Sequence, residues 1–186
     1  MHSVFPDVAV NIDFADLRRQ ADSRASLSDK IQFALEFYPC EVLFIHRDTE
    51  SRSIDDRQEE IAKALKLVEH EIPQHIVSVI PMRMTEAWFL HDEDSIRLAA
   101  GNPNGKNKLN LPPVENVHRI TNPKKLLEES LIKASGLNKR RLKSFKPRKQ
   151  MHRLAEVIED FSVLRSQQSF RLVENQLKTL RANIII

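Results

Sequence analysis

The sequence predicts an α/β fold in which a mostly parallel sheet is flanked by helices and followed by a helical C-terminal portion. Three runs of strand-forming residues, Asp7 to Ile12, Glu41 to His46 and His75 to Met82, alternate with helical patterns in the first half of the chain. This alternation is typical of βαβ units with right-handed crossovers. Farther along, apolar residues recur at helical spacing. We therefore expect an α/β core over residues 1–106 and a helical portion over residues 107–186 that packs on it.

The helices between the expected strands have recognisable ends. Ser28 is placed to cap the first helix, and Pro39 ends it. Ser53 and Asp56 form a capping-box pattern at the start of the second helix. Both segments carry apolar residues at helical spacing, so each is predicted to bury one face against the sheet.

The sequence marks the C-terminus of one further helix and the N-terminus of another. After the third strand, helical spacing runs from about Thr85 to Ala100, and Gly101 stands where a helix C-terminus favours glycine. Farther on, Asn122 is placed to cap a helix that has Pro123 at its first position. Two more helical patterns complete the C-terminal portion.

The second expected strand leads directly into a pair of acids. The apolar run from Val42 to Ile45 predicts a buried central strand of a parallel sheet, and Asp48 and Glu50 follow it. Ligands bind beyond the carboxyl ends of such strands, and residues i and i+2 of extended backbone point to the same side. The two carboxylates are therefore expected to converge. Oxygen ligands of this kind suit Mg²⁺ or Mn²⁺.

The end of the third strand supplies further candidates. Glu86 follows this strand and is expected at the same sheet edge, so three carboxylates could hold one or two divalent ions. Glu86 is equally explained as a first-turn acid that the helix dipole stabilises. Arg83 is a candidate to clamp a phosphate or to pair with a nearby acid. His46 is a candidate to assist phosphate chemistry, or a structural residue at a strand end.

Composition restricts the class of protein. The 186 residues suit one domain with an appendage, and an apolar content of 41% is enough for a packed core. A single cysteine, Cys40, excludes an intramolecular disulfide and fits a reducing compartment. No stretch approaches the roughly 18 apolar residues of a membrane span, and no signal-peptide pattern opens the chain. We therefore expect a cytoplasmic protein without a membrane partner.

The positive charge is concentrated in one acid-free interval. The net charge is only +3, yet no Asp or Glu occurs between Glu129 and Glu156. Such an interval is either the electrostatic footprint of a polyanion-binding protein or a solvated loop that is basic by chance. Phe145 within it is placed either to stack on a base or to anchor the loop. The residues expected to contact nucleic acid are Lys139, Arg140, Arg141, Lys143, Lys146, Arg148, Lys149 and Arg153.

Four segments in combination resemble the bacterial domain-of-unknown-function family 4276. They are His46–Glu50, Arg83–Trp88, Ala100–Gly105 and Asp160–Arg165. The segments occur in the same order as in that family, and the resemblance covers nearly the whole chain. The family is similar to the Toprim-type domains of topoisomerases, primases and OLD-type nucleases. The resemblance implies a Toprim-like, Rossmann-like core that binds Mg²⁺ or Mn²⁺. It also implies a role in DNA or RNA cleavage in anti-phage or mobile-element systems, beside an ATPase partner.

On this resemblance the chain is expected to be a metal-dependent phosphodiesterase or nuclease. Asp48, Glu50 and Glu86 would hold the metal, and Arg83 and His46 would contact phosphate. Toprim-type domains also carry a glutamate at the end of a first strand, before a glycine-containing turn, and the opening residues of this chain have no such element. We therefore expect a shortened start or a degenerate site, and weak cleavage by the chain alone.

Two other functions are compatible with the sequence. The chain could be a non-catalytic nucleic-acid-binding or regulatory subunit of an ATPase-containing complex, which keeps the fold and the basic segment while its partner does the chemistry. A small-nucleotide-binding protein is a weaker alternative, because no glycine-rich phosphate loop is present.

Overall fold

The computed structural model describes residues 9–17 and 24–184. The regular elements, in chain order, are α1 (Leu27–Phe37), β1 (Val42–His46), α2 (Ile54–Leu65), β2 (His75–Val79), α3 (Glu93–Ala99), α4 (Pro123–Ser135), α5 (Lys139–Leu142), α6 (Pro147–Val157) and α7 (Gln168–Ile184). Three 3₁₀ helices lie at Thr85–Phe89, Val114–Arg119 and Ser162–Ser166. None of the described helices is long and apolar enough to cross a membrane.

The described residues fall into two compact units. The first, called the sheet unit, comprises residues 9–17, 24–47, 52–80 and 172–184. The second, called the helical unit, comprises residues 48–51 and 81–171. Neither unit ends at residue 106, where the sequence predicted the boundary of the α/β core. The short loop after β1 groups with the helical unit because its backbone hydrogen bonds go to residues 81 and 83.

The sheet unit contains two parallel strands among its described residues. β1 and β2 pair from Val42 opposite His75 to His46 opposite Val79, which confirms the predicted parallel βαβ arrangement. The expectation that β1 is a buried central strand is wrong, because only Ile45 is buried and Phe44 is 40% exposed. Successive side chains of a strand point to opposite faces, so an apolar run cannot bury every member unless both faces are covered.

The first expected strand, Asp7 to Ile12, does not form over its described part. Residues 9–12 have no regular secondary structure, while residues 7 and 8 lie outside the described residues. Val10 and Ile12 are exposed. Alternating apolar residues favour a strand only where the backbone finds a partner for its hydrogen bonds, and the sequence pattern carries no information about that partner.

A glutamine side chain supplies hydrogen bonds along β2. The Ser78 N–H donates to Oε1 of Gln176 (2.9 Å), and Nε2 of Gln176 donates to the Ser78 carbonyl (3.1 Å). Both groups belong to the sheet unit. An amide side chain has one acceptor and two donors, so it can satisfy a strand residue much as a neighbouring strand would.

The predicted cap of α2 is confirmed, whereas the cap of α1 lies two residues before the predicted one. Ser53 and Asp56 form the predicted capping box of α2, with both hydrogen bonds at 3.0 Å. The cap of α1 is Ser26 and not Ser28. Its Oγ accepts from the Asp29 N–H (3.1 Å), and the Asp29 carboxylate accepts from the Ser26 N–H (2.8 Å). Asp29 completes a capping box only with the residue three positions before it, and this selects Ser26.

The single helix expected from Thr85 to Ala100 is wrong. The 3₁₀ helix Thr85–Phe89 is followed by α3, which begins after Asp92. The Asp92 carboxylate accepts from the Ser95 N–H (2.9 Å) and therefore starts a new helix. The predicted glycine at the end is confirmed, since Gly101 has a left-handed φ of +78°.

The core of the helical unit lies between α3, α4 and α6. Leu90, Ile96, Leu127, Leu131 and Leu154 are all fully buried there. Asn122 caps α4 as predicted, because its Oδ1 accepts from the Lys125 N–H (2.9 Å). These three helices give the helical unit its own hydrophobic core. The cations between Lys139 and Arg153 lie on the surface of this unit.

Candidate functional site

The candidate site forms where the loop after β1 meets the segment after β2. The Thr49 N–H donates to the Pro81 carbonyl (3.1 Å), and the Glu50 N–H donates to the Arg83 carbonyl (3.1 Å). The side chain of Thr49 is fully buried, and its Oγ1 accepts from the Arg83 N–H at 2.6 Å. Because parallel strands end on the same side, the chain segments that follow them were expected to be neighbours, and here they are.

Two residues of this meeting point have left-handed backbones. Glu50 has a φ of +54° and Arg83 a φ of +66°, and neither is glycine. Of the three such non-glycine residues in the described part of the chain, two are these neighbours; the third is Asn110. This conformation costs roughly 1–2 kcal/mol per residue and is concentrated at functional sites.

Asp48 is held by the segment that follows β2. Its Oδ1 accepts from the Thr85 N–H (3.1 Å) and from the Thr85 hydroxyl (3.3 Å). Met84, the residue before the 3₁₀ helix Thr85–Phe89, offers no side-chain cap. Asp48 therefore caps a helical turn that is distant in sequence. Sequence reasoning missed Thr85, because a hydroxyl beside a helix start is ordinary until its partner is known.

Glu86 occupies the first turn of the same 3₁₀ helix and has a cationic neighbour. Its Oε1 lies 3.8 Å from Nζ of Lys124, and its side chain is 18% exposed. This position agrees with the explanation of Glu86 as a first-turn acid. The sequence did not predict that Lys124, at the start of α4, lies near Glu86, because no local pattern links the two residues.

These contacts bear on whether the predicted carboxylates can bind a metal ion. One oxygen of Asp48 is committed to Thr85, and Glu86 faces Lys124. Within residues 9–17 and 24–184, no group of three or more His, Cys, Asp or Glu side chains is arranged to hold an ion. A site shared by Asp48, Glu50 and Glu86 therefore stays a prediction.

His46 and Arg47 belong to the sheet unit. His46 is the exposed last residue of β1. Arg47 donates from Nη2 to Oε1 of Glu60 (2.7 Å), and Arg57 donates from Nη1 to Oε2 (2.5 Å). Arg52 approaches the same carboxylate at 3.8 Å. Three guanidinium groups thus surround the carboxylate of Glu60 within one unit.

The protonation of Glu60 reflects this surrounding. Partial burial raises the pKa of Glu60, but the hydrogen bond from Arg57 and the charges of Arg47 and Arg57 together outweigh it. The pKa of Glu60 consequently lies below its ordinary value, and the carboxylate is charged at neutral pH. A charged Glu60 stabilises the guanidinium of Arg57, which is only 4% exposed and forms an ion pair with it.

The residues predicted to contact nucleic acid are all solvent-exposed, and together they are called the basic surface. It consists of Lys139, Arg140, Arg141, Lys143, Lys146, Arg148, Lys149 and Arg153, and all eight are exposed. Among the described residues, Arg148 is the one member with an ion pair, to Glu128 at 3.7 Å. Exposed pairs of this kind contribute little, so the charge of the surface stays available to a polyanion.

The basic surface is carried by α5, α6 and their connection, and α6 is fixed from behind. Met151 and Leu154 are buried in the core of the helical unit. Phe145, in the connection, is half-buried and packs against the same core. Of the two explanations for Phe145, the structure therefore bears out the anchoring one. The base-stacking explanation stays a prediction.

Comparison with protein-family models, with curated proteins and with solved structures finds no match for this chain. The fold and the site define a mixed α/β protein with a small parallel sheet flanked by helices and a separate helical unit.

Proposed function

We propose that this protein binds nucleic acid through its basic surface. The observation that carries the proposal is the exposure of all eight cations between Lys139 and Arg153, of which Arg148 alone has an ion pair among the described residues. Nucleic-acid backbones hold a dense atmosphere of counterions, and basic side chains release these ions on binding. A surface on which most of the cations have no ion pair among the described residues gains most from such a ligand.

The test is the salt dependence of binding to a labelled duplex of random sequence, measured by fluorescence anisotropy. The logarithm of the binding constant should fall linearly with the logarithm of salt concentration, with a slope of roughly −0.9 for each phosphate contacted. Replacing Arg140, Arg141 and Lys143 with Ala should weaken binding and flatten the slope. An unchanged slope would place the contacts elsewhere on the protein.

A matched control separates local contacts from total charge. Lys66, Lys106 and Lys108 are exposed and lie outside the basic surface. Replacing these three with Ala removes the same charge as the test variant does. The control variant should keep the slope of the unmodified protein. A control that weakens binding as much as the test variant would mean that net charge, and not this surface, attracts the ligand.

The second candidate function is a metal-dependent phosphodiesterase, and one specific observation favours it. Glu50 and Arg83 are both left-handed and are hydrogen-bonded to each other, a form of strain that is concentrated at functional sites. Asp48 and Glu50 would hold Mg²⁺ or Mn²⁺, which when bound supplies an activated water and neutralises charge on the phosphate. Arg83 would bind a phosphate oxygen as a fork-shaped donor.

The resemblance to family 4276 and its Toprim-type relatives supports this second candidate. It extends the proposal to a cytoplasmic nuclease in an anti-phage or mobile-element system, beside an ATPase partner. His46 and Glu86 would assist, as a phosphate contact and a further metal ligand. We expect the chain alone to cleave weakly or not at all.

Asp48→Asn tests the metal site without removing the helix cap. The amide oxygen of Asn can still accept from the Thr85 N–H, whereas the charge that a metal ion needs is lost. Calorimetric titration with Mn²⁺ should give heat for the unmodified protein and much less for the variant. Equal heats for both proteins would reject Asp48 as a ligand.

Cleavage is tested with plasmid DNA and with tRNA in Mg²⁺ or Mn²⁺, with and without the product of a neighbouring ATPase gene. Weak cleavage alone and stronger cleavage with the partner is the expected result. Strong cleavage by the chain alone, abolished by Asp48→Asn, would support the site and contradict the expected weakness.

A further inference from the structure

We infer that the basic surface selects double-stranded over single-stranded nucleic acid, an inference that rests on the proposed nucleic-acid-binding function. The observation that carries it is where the helical unit places its aromatic rings. Proteins that hold single strands combine a basic groove with exposed rings on which successive bases stack, and each stacked base contributes strongly to affinity. A duplex keeps its bases stacked inside and offers its phosphates, so it needs no rings from the protein.

The aromatic side chains of the helical unit serve the fold. They are Trp88, Phe89, Phe145, Phe161 and Phe170, and each is buried or half-buried. The ring of Phe170 packs edge-on against that of Trp88 at a centroid distance of 5.5 Å and stacks on Phe161 at 6.2 Å. No Phe, Tyr or Trp of this unit is exposed in the part of the chain that the structure describes. Within the described residues of the helical unit, the rings that a single strand would need are thus packed against the protein.

Within the basic surface itself, the available side chains are charged. Phe145 packs against the core and leaves the exposed imidazole of His152 as the single ring on this stretch of chain. One ring can meet one base, whereas stacking of a strand needs several in succession. Binding must therefore come from charge, and the ligand of higher charge density benefits more.

Charge density favours the duplex. Double-stranded DNA carries one phosphate charge for each ~1.7 Å of its axis, and each neutralised phosphate contributes more counterion release than in a single strand. Helix α6 has 11 residues and extends about 16 Å. It carries Arg148, Lys149 and Arg153 on exposed positions, while Met151 and Leu154 face the core. A rigid helix with its cations on one side suits a rigid ligand whose phosphates are closely spaced.

The test compares three ligands at one salt concentration: a DNA duplex, an RNA duplex and an unstructured oligothymidine, each with the same number of phosphates. Binding is measured by fluorescence anisotropy. We expect at least one duplex to bind roughly tenfold more tightly than the single strand, because stacking does not compensate for its lower charge density. Equal or tighter binding of the single strand would overturn the inference and leave the proposed function intact. Failure to bind any of the three would reject the proposed function itself.

Two variants test whether an aromatic ring of this segment contributes to the binding of a single strand. Phe145→Leu removes the ring and preserves an apolar anchor, so the ratio of duplex to single-strand affinity should stay unchanged. A selective loss of single-strand binding in this variant would show that the ring reaches the ligand, and would overturn the inference. His152→Ala examines the one exposed ring in the same way and should likewise leave the ratio unchanged. Circular dichroism confirms that each variant folds, and the comparison of ligands on the unmodified protein does not depend on either variant.

Discussion

Glu50 and Arg83 hold each other in left-handed backbone conformations. The Glu50 N–H donates to the Arg83 carbonyl at 3.1 Å, and Nη1 of Arg83 donates to the Glu50 carbonyl at 3.3 Å. Their φ angles are +54° and +66°. The buried Thr49 immediately precedes Glu50 in the chain, and its Oγ1 accepts from the Arg83 N–H, so these three hydrogen bonds tie the two loops together. This tie maintains a conformation that neither residue favours by itself.

Replacing Glu50 with Gly should give a more stable protein than replacing it with Ala. Both substitutions remove the carboxylate, but only glycine adopts a positive φ without a steric cost. We expect the glycine variant to exceed the alanine variant by about 1 kcal/mol in free energy of unfolding. Urea denaturation followed by circular dichroism measures the difference. Equal stability of the two variants would mean that the backbone at this position is not strained in solution.

Asp48→Ala should destabilise the protein by about 1 kcal/mol, because the Thr85 N–H loses its acceptor at the start of a helical turn. Asp48→Asn should cost less, since it keeps an acceptor oxygen. Thermal unfolding of both variants gives the comparison, and Asp55→Ala, an exposed acid of α2, is the control. If Ala and Asn cost the same, the cap contributes nothing and the carboxylate acts only through its charge.

Glu60→Gln should destabilise the protein at neutral pH and reduce its sensitivity to acid. The pKa of Glu60 is below its ordinary value in the folded state, so its stabilising effect is complete above the unfolded value of 4.5 and is lost as the pH falls through the folded value. Removing the charge weakens the hydrogen-bonded ion pair with the buried Arg57, at a cost of about 2 kcal/mol.

Urea denaturation of the Glu60→Gln protein between neutral pH and the acid side of pH 4.5 measures both effects. Glu59→Gln is the matched control, because Glu59 is 64% exposed and its one ion pair among the described residues is a surface pair with Lys63. A Glu60 variant with the same acid profile as the unmodified protein would contradict the assignment.

Gly136→Ala should destabilise the protein more than Gly101→Ala. Both glycines have positive φ, so both substitutions introduce backbone strain of roughly 1–2 kcal/mol. An added Cβ at Gly136 would lie 3.0 Å from Nδ2 of Asn102, whereas one at Gly101 would meet nothing within 4 Å. Asn102 cannot retreat freely, because Nδ2 donates to the Ala134 carbonyl near the end of α4 (2.8 Å). Equal melting temperatures for the two variants would show that Asn102 yields without cost.

The side chain of Asn102 also explains the turn that follows α3. Asn102 lies against both Gly105 and Gly136, so an added side chain at either glycine would meet its amide. Asparagine, proline and glycine, the residue types at positions 102–105, favour such a turn. The sequence did not predict that the turn closes the C-terminus of α4, because Ala134 is 32 residues away.

Local chemistry by itself determined the features that depend on neighbours in the chain. Ser53 and Asp56 cap α2 and Asn122 caps α4 because the partners lie three residues away. The cations of the basic surface are exposed because burying unpaired charges is costly. The parallel pairing of β1 and β2 follows from the helix between them, since parallel strands need a crossover connection.

Tertiary structure decided the features whose partners are remote. Asp48 was expected to be a metal ligand, and only the fold revealed Thr85 as its hydrogen-bonding partner, 37 positions away. The sequence did not show that Phe145 packs against the core of the helical unit. The exposure of Phe44 depends on what covers the second face of the sheet. In each case the energy comes from contacts between distant segments, and no local pattern of residues encodes which segments will meet.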